Sequence, residues 1–455
     1  MNPEDTLAGS KLAETWMGIK KRKLRIALYS HDTVGIGHMR RNLSIAQAFA
    51  RSLGEPLILL ITGGREVCAF GLPAGTDCLT LPALTKEENG QYRARRWDMS
   101  LKELLDLRSR SIASSLRAFA PDVLIVDKVP WGAEGELELG LRELHEQGGT
   151  KLVLGLRDVL DSPETVRQEW KKTGAEEAIR QFYDAIWIYG DHRVFDPVAE
   201  YHFSSTVAAK VTYTGYLARR ESANFAAVEE AGVFPAIGEV PAGASLGPVG
   251  SRAGRTHQED LILCLVGGGQ DGSQLAETFA ETDFPSGTIG VILTGPFMPP
   301  QVQNRLIRQA QKNRQLRVLG FVTDSDLLLR QASRVIAMGG YNTTCEILAS
   351  KKPALIIPRV SPRQEQLIRA ERMQRLGLLE MLHPRNLNTR VLRNWCHSSP
   401  ASLNKELARP GAGSRSPIDL EGFRRLPRLL DQLLAAPGRC SPRNPSERSN
   451  HYACS

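Results

Sequence analysis

Short apolar runs separated by longer amphipathic stretches recur along the chain. This is the pattern of parallel strands buried between covering helices. The runs that qualify as strands in the first half are 24–29, 57–61, 123–126, 152–154, 185–188 and 210–213. In the second half they are 261–266, 290–293, 316–319, 334–337 and 354–357. Between the halves, residues 223–258 are rich in Gly, Ala, Pro and Glu without sustained periodicity, and read as a linker or insertion. The predicted fold class is α/β, with two Rossmann-like domains facing each other across a cleft. The expected division is a flexible start at 1–22, an N-terminal domain at 23–222 and a C-terminal domain at 259–383. A helical segment at 384–436 is expected to pack back on the N-terminal domain. A tail at 437–455 has little to bury and is expected to be disordered.

Each half opens with a strand, a glycine-rich loop and a helix. The first strand leads into H-D-T-V-G-I-G-H-M-R-R, with Gly35, Gly37 and His38 at the turn; the strand at 261–266 leads into G-G-G-Q-D-G, containing Gly268, Gly269 and Gln270. The first does not complete G-x-G-x-x-G; the second does, at Gly267, Gly269 and Gly272, a spacing that on its own is a weak dinucleotide signal. The stretch 338–366, M-G-G-Y-N-T-T-C-E-I-L-A-S-K-K-P-A-L-I-I-P-R-V-S-P-R-Q-E-Q, is more specific. It reads as a glycine loop, a helix opening at Thr343 or Thr344, a buried strand and a polar loop. Unpaired amides at that helix start and the positive end of its dipole make Gly339 and Gly340 an anion site. Glu346, expected within the first helical turn, has the reach to accept hydrogen bonds from a vicinal diol such as a ribose. The plainer alternative is a tight Gly-Gly turn, a threonine N-cap and a carboxylate complementing the dipole.

A chain of 455 residues exceeds one ordinary core. No apolar run reaches the roughly 18 residues of a membrane helix, and the N-terminus has no signal-peptide core. Seven scattered cysteines form no CxxC pair or zinc spacing, as in a reducing cytoplasm. The net charge of +8 is unevenly placed: from Arg359 onward there are 16 Arg and one Lys against eight acids. A cytoplasmic enzyme is expected. The basic C-terminal part is either a solvated surface or a peripheral contact with the anionic inner face of a membrane. Nucleic acid is not expected, because no aromatic residues interleave the arginines.

G-x-G-H after the first strand, G-G-G-Q-D-G after the linker, and G-G-Y-N-T-T-C-E…P-A-L-I-I-P…R-Q-E-Q near the end resemble the GT-B glycosyltransferases. More narrowly, they resemble the MurG-like branch with its family 28 C-terminal domain, which transfers N-acetylglucosamine to a lipid-linked peptidoglycan precursor. The resemblance implies a nucleotide-sugar donor on the C-terminal domain and an acceptor on the N-terminal one. Gly339, Gly340, Asn342 and Thr343 would line the diphosphate site and Glu346 would hold the ribose. Phe321 and Val322 would meet the uracil, and Glu365 and Gln366 the donor sugar hydroxyls. Two departures stand out: G-G-G-Q-D replaces G-G-S-Q-G, losing a hydroxyl at Gly269 and adding Asp271, and Glu365 replaces a glutamine.

Transfer needs a base for the acceptor hydroxyl and stabilisation of a leaving nucleoside diphosphate. Helix N-termini can supply the positive field that a divalent ion would otherwise provide, so metal-independent transfer without a cofactor is expected. His38 is the candidate base, with His31 second, and Asp127 at a strand end is placed to orient the imidazole. The alternatives are that His38 caps the helix beginning near Met39 and that Asp127 is structural. Inversion follows if the base acts opposite the leaving group. Two other functions stay open: a UDP-sugar 2-epimerase, which needs no acceptor, and a non-catalytic nucleotide-sugar-binding subunit. The acceptor, lipid-linked, glycan-linked or otherwise, is not identified. The arginine-rich stretch 91–101 is an acceptor loop or an exposed connection.

Overall fold

The computed structural model describes residues 22–31, 37–64, 67, 70–86, 92–219, 260–320, 325–399 and 418–436. Gly35, Phe321, Val322, the proposed linker 223–258, the first 21 residues and the tail 437–455 lie outside these.

Continuous runs of Ile, Leu and Val make strands that are buried on both faces, and they assemble into two parallel sheets. The first comprises β1 (Arg25–Ser30), β2 (Leu57–Thr62), β3 (Thr76–Thr80), β6 (Val123–Asp127), β7 (Lys151–Arg157), β8 (Ala185–Tyr189) and β9 (Val211–Tyr213). Its order is β3-β2-β1-β6-β7-β8-β9. A small antiparallel hairpin, β4 (Leu84–Lys86) and β5 (Tyr92–Ala94), stands apart from it. The second sheet comprises β10 (Asp260–Leu265), β11 (Thr288–Leu293), β12 (Leu316–Leu319), β13 (Arg334–Ala337), β14 (Ala354–Ile356) and β15 (Glu380–Met381), ordered β12-β11-β10-β13-β14-β15. In each sheet the chain order reverses beside the first strand: β1 lies between β2 and β6, and β10 between β11 and β13. The carboxyl ends of those strands open crevices where such sheets bind ligands.

All the expected strands form. The reading missed β3, the β4–β5 hairpin and β15, which are short, half-polar or at sheet edges. The hairpin takes in part of the arginine-rich stretch, which is therefore not wholly an irregular loop.

The segment 384–436 divides, contrary to the expectation that it packs on the N-terminal domain as a whole. The helix Thr389–His397 stays on the second sheet. Trp395 Nε1 donates to Glu380, and Arg334 donates to the carbonyls of Trp395, Cys396 and Ser398. Its apolar stripe, with Leu392, Trp395 and Cys396 buried, matches that surface. The helix Gly422–Ala435 instead lies on the helix Gly37–Ser52 of the first half. It is anchored where the Tyr216 amide donates to Asp419 O and Arg425 donates to Thr214 O.

The two halves meet through charge and aromatic contacts. Arg369 forms a forked ion pair with Asp158 at 2.7 to 3.0 Å, fully buried on both sides. Arg363 binds Asp161 and Glu169, and Arg372 binds Glu200. The Tyr341 ring stacks on Tyr216 at 6.1 Å and has a guanidinium, from Arg41 and from Arg369, at 5.6 Å.

Candidate active site

Adjacency of β1 and β6 brings the loop after β1 next to the last residue of β6. His38, in the first turn of the helix Gly37–Ser52, turns its ring to Asp127, with Nδ1 2.5 Å from Oδ2. The imidazole is thus engaged by a carboxylate rather than by a helix-capping amide. Arg41, one helical turn on, donates to both oxygens of Asp127 at 2.6 Å. Asp127 is 1% exposed and His38 15%. Burial alone would raise the Asp127 pKa, but Arg41 and His38 reverse this and hold it well below the carboxylate range. Asp127 is therefore ionised and accepts only, so Nδ1 of neutral His38 carries the proton and Nε2 keeps a free lone pair. The Arg41 Nη2 to His38 Nδ1 approach of 2.9 Å then sets two donors side by side. Burial depresses the His38 pKa below its ordinary value, the Asp127 charge opposing and Arg41 and Arg157 adding. His31 is buried with its ring 5.1 Å from that of His38, and burial with the nearby His38 and Lys128 lowers its pKa strongly.

Across the cleft, the helix after β13 spans Tyr341–Ser350, starting ahead of both threonines expected to open it. Its N-cap is Gly340, extended at φ −61° and ψ 142°, with no side-chain cap bond. The Thr344 amide already donates to Gly340 O within the helix, so neither threonine caps it. Buried Tyr341, wedged between the halves, sets the first turn instead. The amides of Tyr341, Asn342 and Thr343 remain without helical acceptors, one turn of donors beside Gly339 and Gly340. At Gly339 a Cβ would sit 3.2 Å from Ile356 Cγ2, so the loop packs tightly against β14. Glu346 falls in the second turn, not the first. Its carboxylate accepts from Ser325 Oγ at 3.1 Å and from Arg40, of the other half, at 3.3 Å. Asn342 Nδ2 donates to Gly37 O at 3.0 Å, joining the two glycine loops directly.

The loop after β10 carries Gly268, Gly269 and the exposed Gln270. Gly269 has φ +91°, and a Cβ there would lie 2.3 Å from Thr294 O, so this backbone excludes a side chain. That accounts for the missing hydroxyl. Asp271 is neutralised by Arg359 Nη1 at 2.9 Å. Glu365 and Gln366 do not lie in a polar loop: they begin the helix Glu365–Arg375. Both are tied to Arg359, whose Nη2 meets Glu365 Oε1 at 2.5 Å and whose amide donates to Gln366 Oε1 at 3.0 Å. Glu365 is 5% exposed and its Oε2 has no hydrogen-bond partner in the structure. Burial would raise its pKa, but Arg157 and Arg359 hold it below the usual value.

The residues brought together are thus His38, Asp127 and Gly37 on one wall, and Gly339, Gly340, Asn342, Thr343 and Glu346 on the other. The sequence reading missed Arg40, Arg41, Arg359 and Arg369, which organise them. Only Arg41 carried a local signal, one helical turn beyond His38. Among the described residues no group of three or more His, Cys, Asp or Glu is placed to hold a metal ion, and no helix is long and apolar enough to cross a membrane.

Residues 262–400 match the glycosyltransferase family 28 C-terminal domain. Solved structures are similar over nearly the whole chain. One is LpCGTa in complex with UDP, at TM-score 0.53 and 15% identity, covering 91% of this chain and 100% of that one. Another is MurG of Acinetobacter baumannii, at 0.50 and 13%, covering 90% and 99%. A third is a putative UDP-N-acetylglucosamine 2-epimerase of Listeria monocytogenes, at 0.51 and 13%, covering 89% and 95%. No curated protein matches. At these identities the structural likeness establishes the GT-B fold, and the domain match supports glycosyl transfer.

Proposed function

We propose that this chain, a GT-B protein whose second half carries a family 28 C-terminal domain, is a glycosyltransferase moving a hexosyl or N-acetylhexosaminyl group from a UDP-sugar to a hydroxyl acceptor. The observation that carries the reading is the junction of the two glycine loops. The amides beside Gly339 and Gly340 lie one hydrogen bond, Asn342 to Gly37, from the His38–Asp127 pair. The donor diphosphate takes the open amides and the positive end of the helix dipole, and the ribose takes Glu346 once Arg40 has moved. The sugar extends towards Glu365 and Gln366. His38 Nε2 accepts the acceptor proton while Asp127 fixes the ring and stabilises the imidazolium that forms; Arg41 holds Asp127 in place. The acceptor oxygen bonds to the anomeric carbon as the bond to the diphosphate breaks, which inverts that centre if attack is from the opposite face. Charge on the departing diphosphate falls on the helix start, so no metal is required. The acceptor, lipid- or glycan-linked, reaches the cleft from the first half. We place the enzyme in the cytoplasm, with a basic C-terminal part suited to an anionic membrane face.

Calorimetry with UDP and UDP-sugars tests the donor assignment. Wild type is expected to bind and Glu346→Ala to bind at least tenfold more weakly, as when a charged hydrogen-bond acceptor is lost (about 1.5–3 kcal/mol). Unaltered binding by Glu346→Ala would remove the ribose assignment. Incubation with UDP-N-acetylglucosamine alone separates transfer from epimerisation, because only an epimerase makes product without a second substrate.

A further inference from the structure

Sorting the charged side chains of the cleft by partner leaves two cations over. Arg41 is matched by Asp127, Arg369 by Asp158, Arg363 by Asp161 and Glu169, and Arg359 by Glu365 and Asp271. Lys128 and Arg157 have no side-chain hydrogen bond or ion pair among the described residues, and Arg157 Nε is buried without an acceptor. They belong together. Lys128 directly follows Asp127 at the end of β6, and Arg157 ends β7, its neighbour in the sheet, where Asp127 pairs with Gly155. Both sit at the carboxyl edge that carries the base.

Lys128 holds a left-handed backbone, φ +70°, which a lysine adopts only where its surroundings impose it. Burial pushes its ammonium down to about 7, with Arg157 and Arg363 adding to the effect and Glu365 and Glu169 opposing it. Burial lowers the Arg157 pKa too, Arg41 and Arg369 adding, Glu365 and Asp127 opposing. The acid both groups sense, Glu365, is already committed to Arg359. Unpaired cations crowded in a poorly solvated cleft are costly until an anion joins them.

Resting on the glycosyl-transfer reading, we propose that Lys128 and Arg157 form a subsite for a carboxylate or phosphate carried by the transferred sugar or by the acceptor, separate from the donor's own diphosphate. The separation is geometric. The diphosphate belongs to the amides after β13 in the second half, whereas these cations stand on β6 and β7 in the first, beside His38 and opposite Glu365. An anion there neutralises the surplus positive charge and fixes the reacting sugar or acceptor next to the base.

The test titrates full-length protein, saturated with UDP at fixed ionic strength, with inorganic phosphate. Wild type is expected to take up phosphate beside UDP. The Lys128→Gln, Arg157→Gln double variant should bind phosphate roughly tenfold or more weakly, while its UDP affinity stays within about threefold. Equal phosphate affinity in both proteins, or none in a wild type that binds UDP, overturns the subsite. A wild type that fails to bind UDP overturns the donor reading instead, so the two failures are distinct. If the double variant loses UDP as well, Lys128→Arg and Arg157→Lys decide, since a subsite built on charge keeps phosphate in both and loss in both rejects it. A second arm compares UDP-glucuronate with UDP-glucose. Preference for the uronate in wild type, abolished in the double variant, assigns the anion to the sugar; equal affinities with the phosphate site intact assign it to the acceptor.

Discussion

His38 shows how little sequence separation matters once strands are ordered. Its partner Asp127 lies 89 residues away, yet β1 and β6 are neighbours and the two strand ends meet. Asp127 was legible as a strand-end acid after an apolar run, and His38 as the histidine of the glycine loop that follows β1. Arg41, which fixes the charge of Asp127, was not singled out, because an arginine on an amphipathic helix ordinarily reads as surface. Under the proposed function, His38→Ala lowers kcat by about 10²- to 10⁴-fold, with UDP affinity nearly unchanged. The pH dependence follows from the direction of the shift. The base acts unprotonated, and burial holds the His38 pKa below 6.5, so the acid limb of kcat/KM lies below that value in wild type. His38→Ala abolishes the limb. A limb that persists in the variant assigns the base elsewhere, His31 first.

Secondary-structure elements were legible where they are buried on both faces. The strands β1, β6, β10 and β13, which aim the loops, are unbroken apolar runs, whereas β3 and β15 are edges whose half-exposed residues carry no such signal. Helix starts were less legible. The threonines at 343 and 344 have the chemistry of caps, but burial of Tyr341 between the halves moved the first turn ahead of them. The glycine loop after β10 illustrates the same point. Restoring a hydroxyl with Gly269→Ser forces a side chain into a left-handed position and against Thr294 O. The expected cost is about 1–3 kcal/mol, read as a lower denaturant midpoint with unchanged m-value.

At the scale of the whole molecule, two halves were legible from the break after residue 222, but their contacts were not. Asp158 and Arg369 stand 211 residues apart, and nothing local in either stretch announces a pair. Arg369 also donates to Gly339 O at 2.9 Å, so one guanidinium spans the first sheet, the second half and the donor loop. Arg369→Met leaves Asp158 buried and uncompensated, for an expected loss of about 3–5 kcal/mol in chemical denaturation. Small-angle scattering of the same variant should report a larger radius of gyration, because a clamp between the halves is gone. An unchanged radius would mean that the remaining bridges at Arg363 and Arg372 suffice.

Arg40 carries a less obvious consequence. A cation within reach of an incoming polyanion ordinarily strengthens association, and deleting it weakens binding. Under the proposed function, however, its guanidinium already occupies the carboxylate that the pentose would claim. Nucleotide capture is therefore an exchange in which an internal competitor is evicted, and the measured affinity is what survives that eviction. Arg40→Ala is expected to tighten UDP binding, by about two- to fivefold if the contact is worth the 0.5–1 kcal/mol usual for a partly exposed pair. Weaker binding by that variant in calorimetry would recast Arg40 as a ligand of the donor instead of its rival.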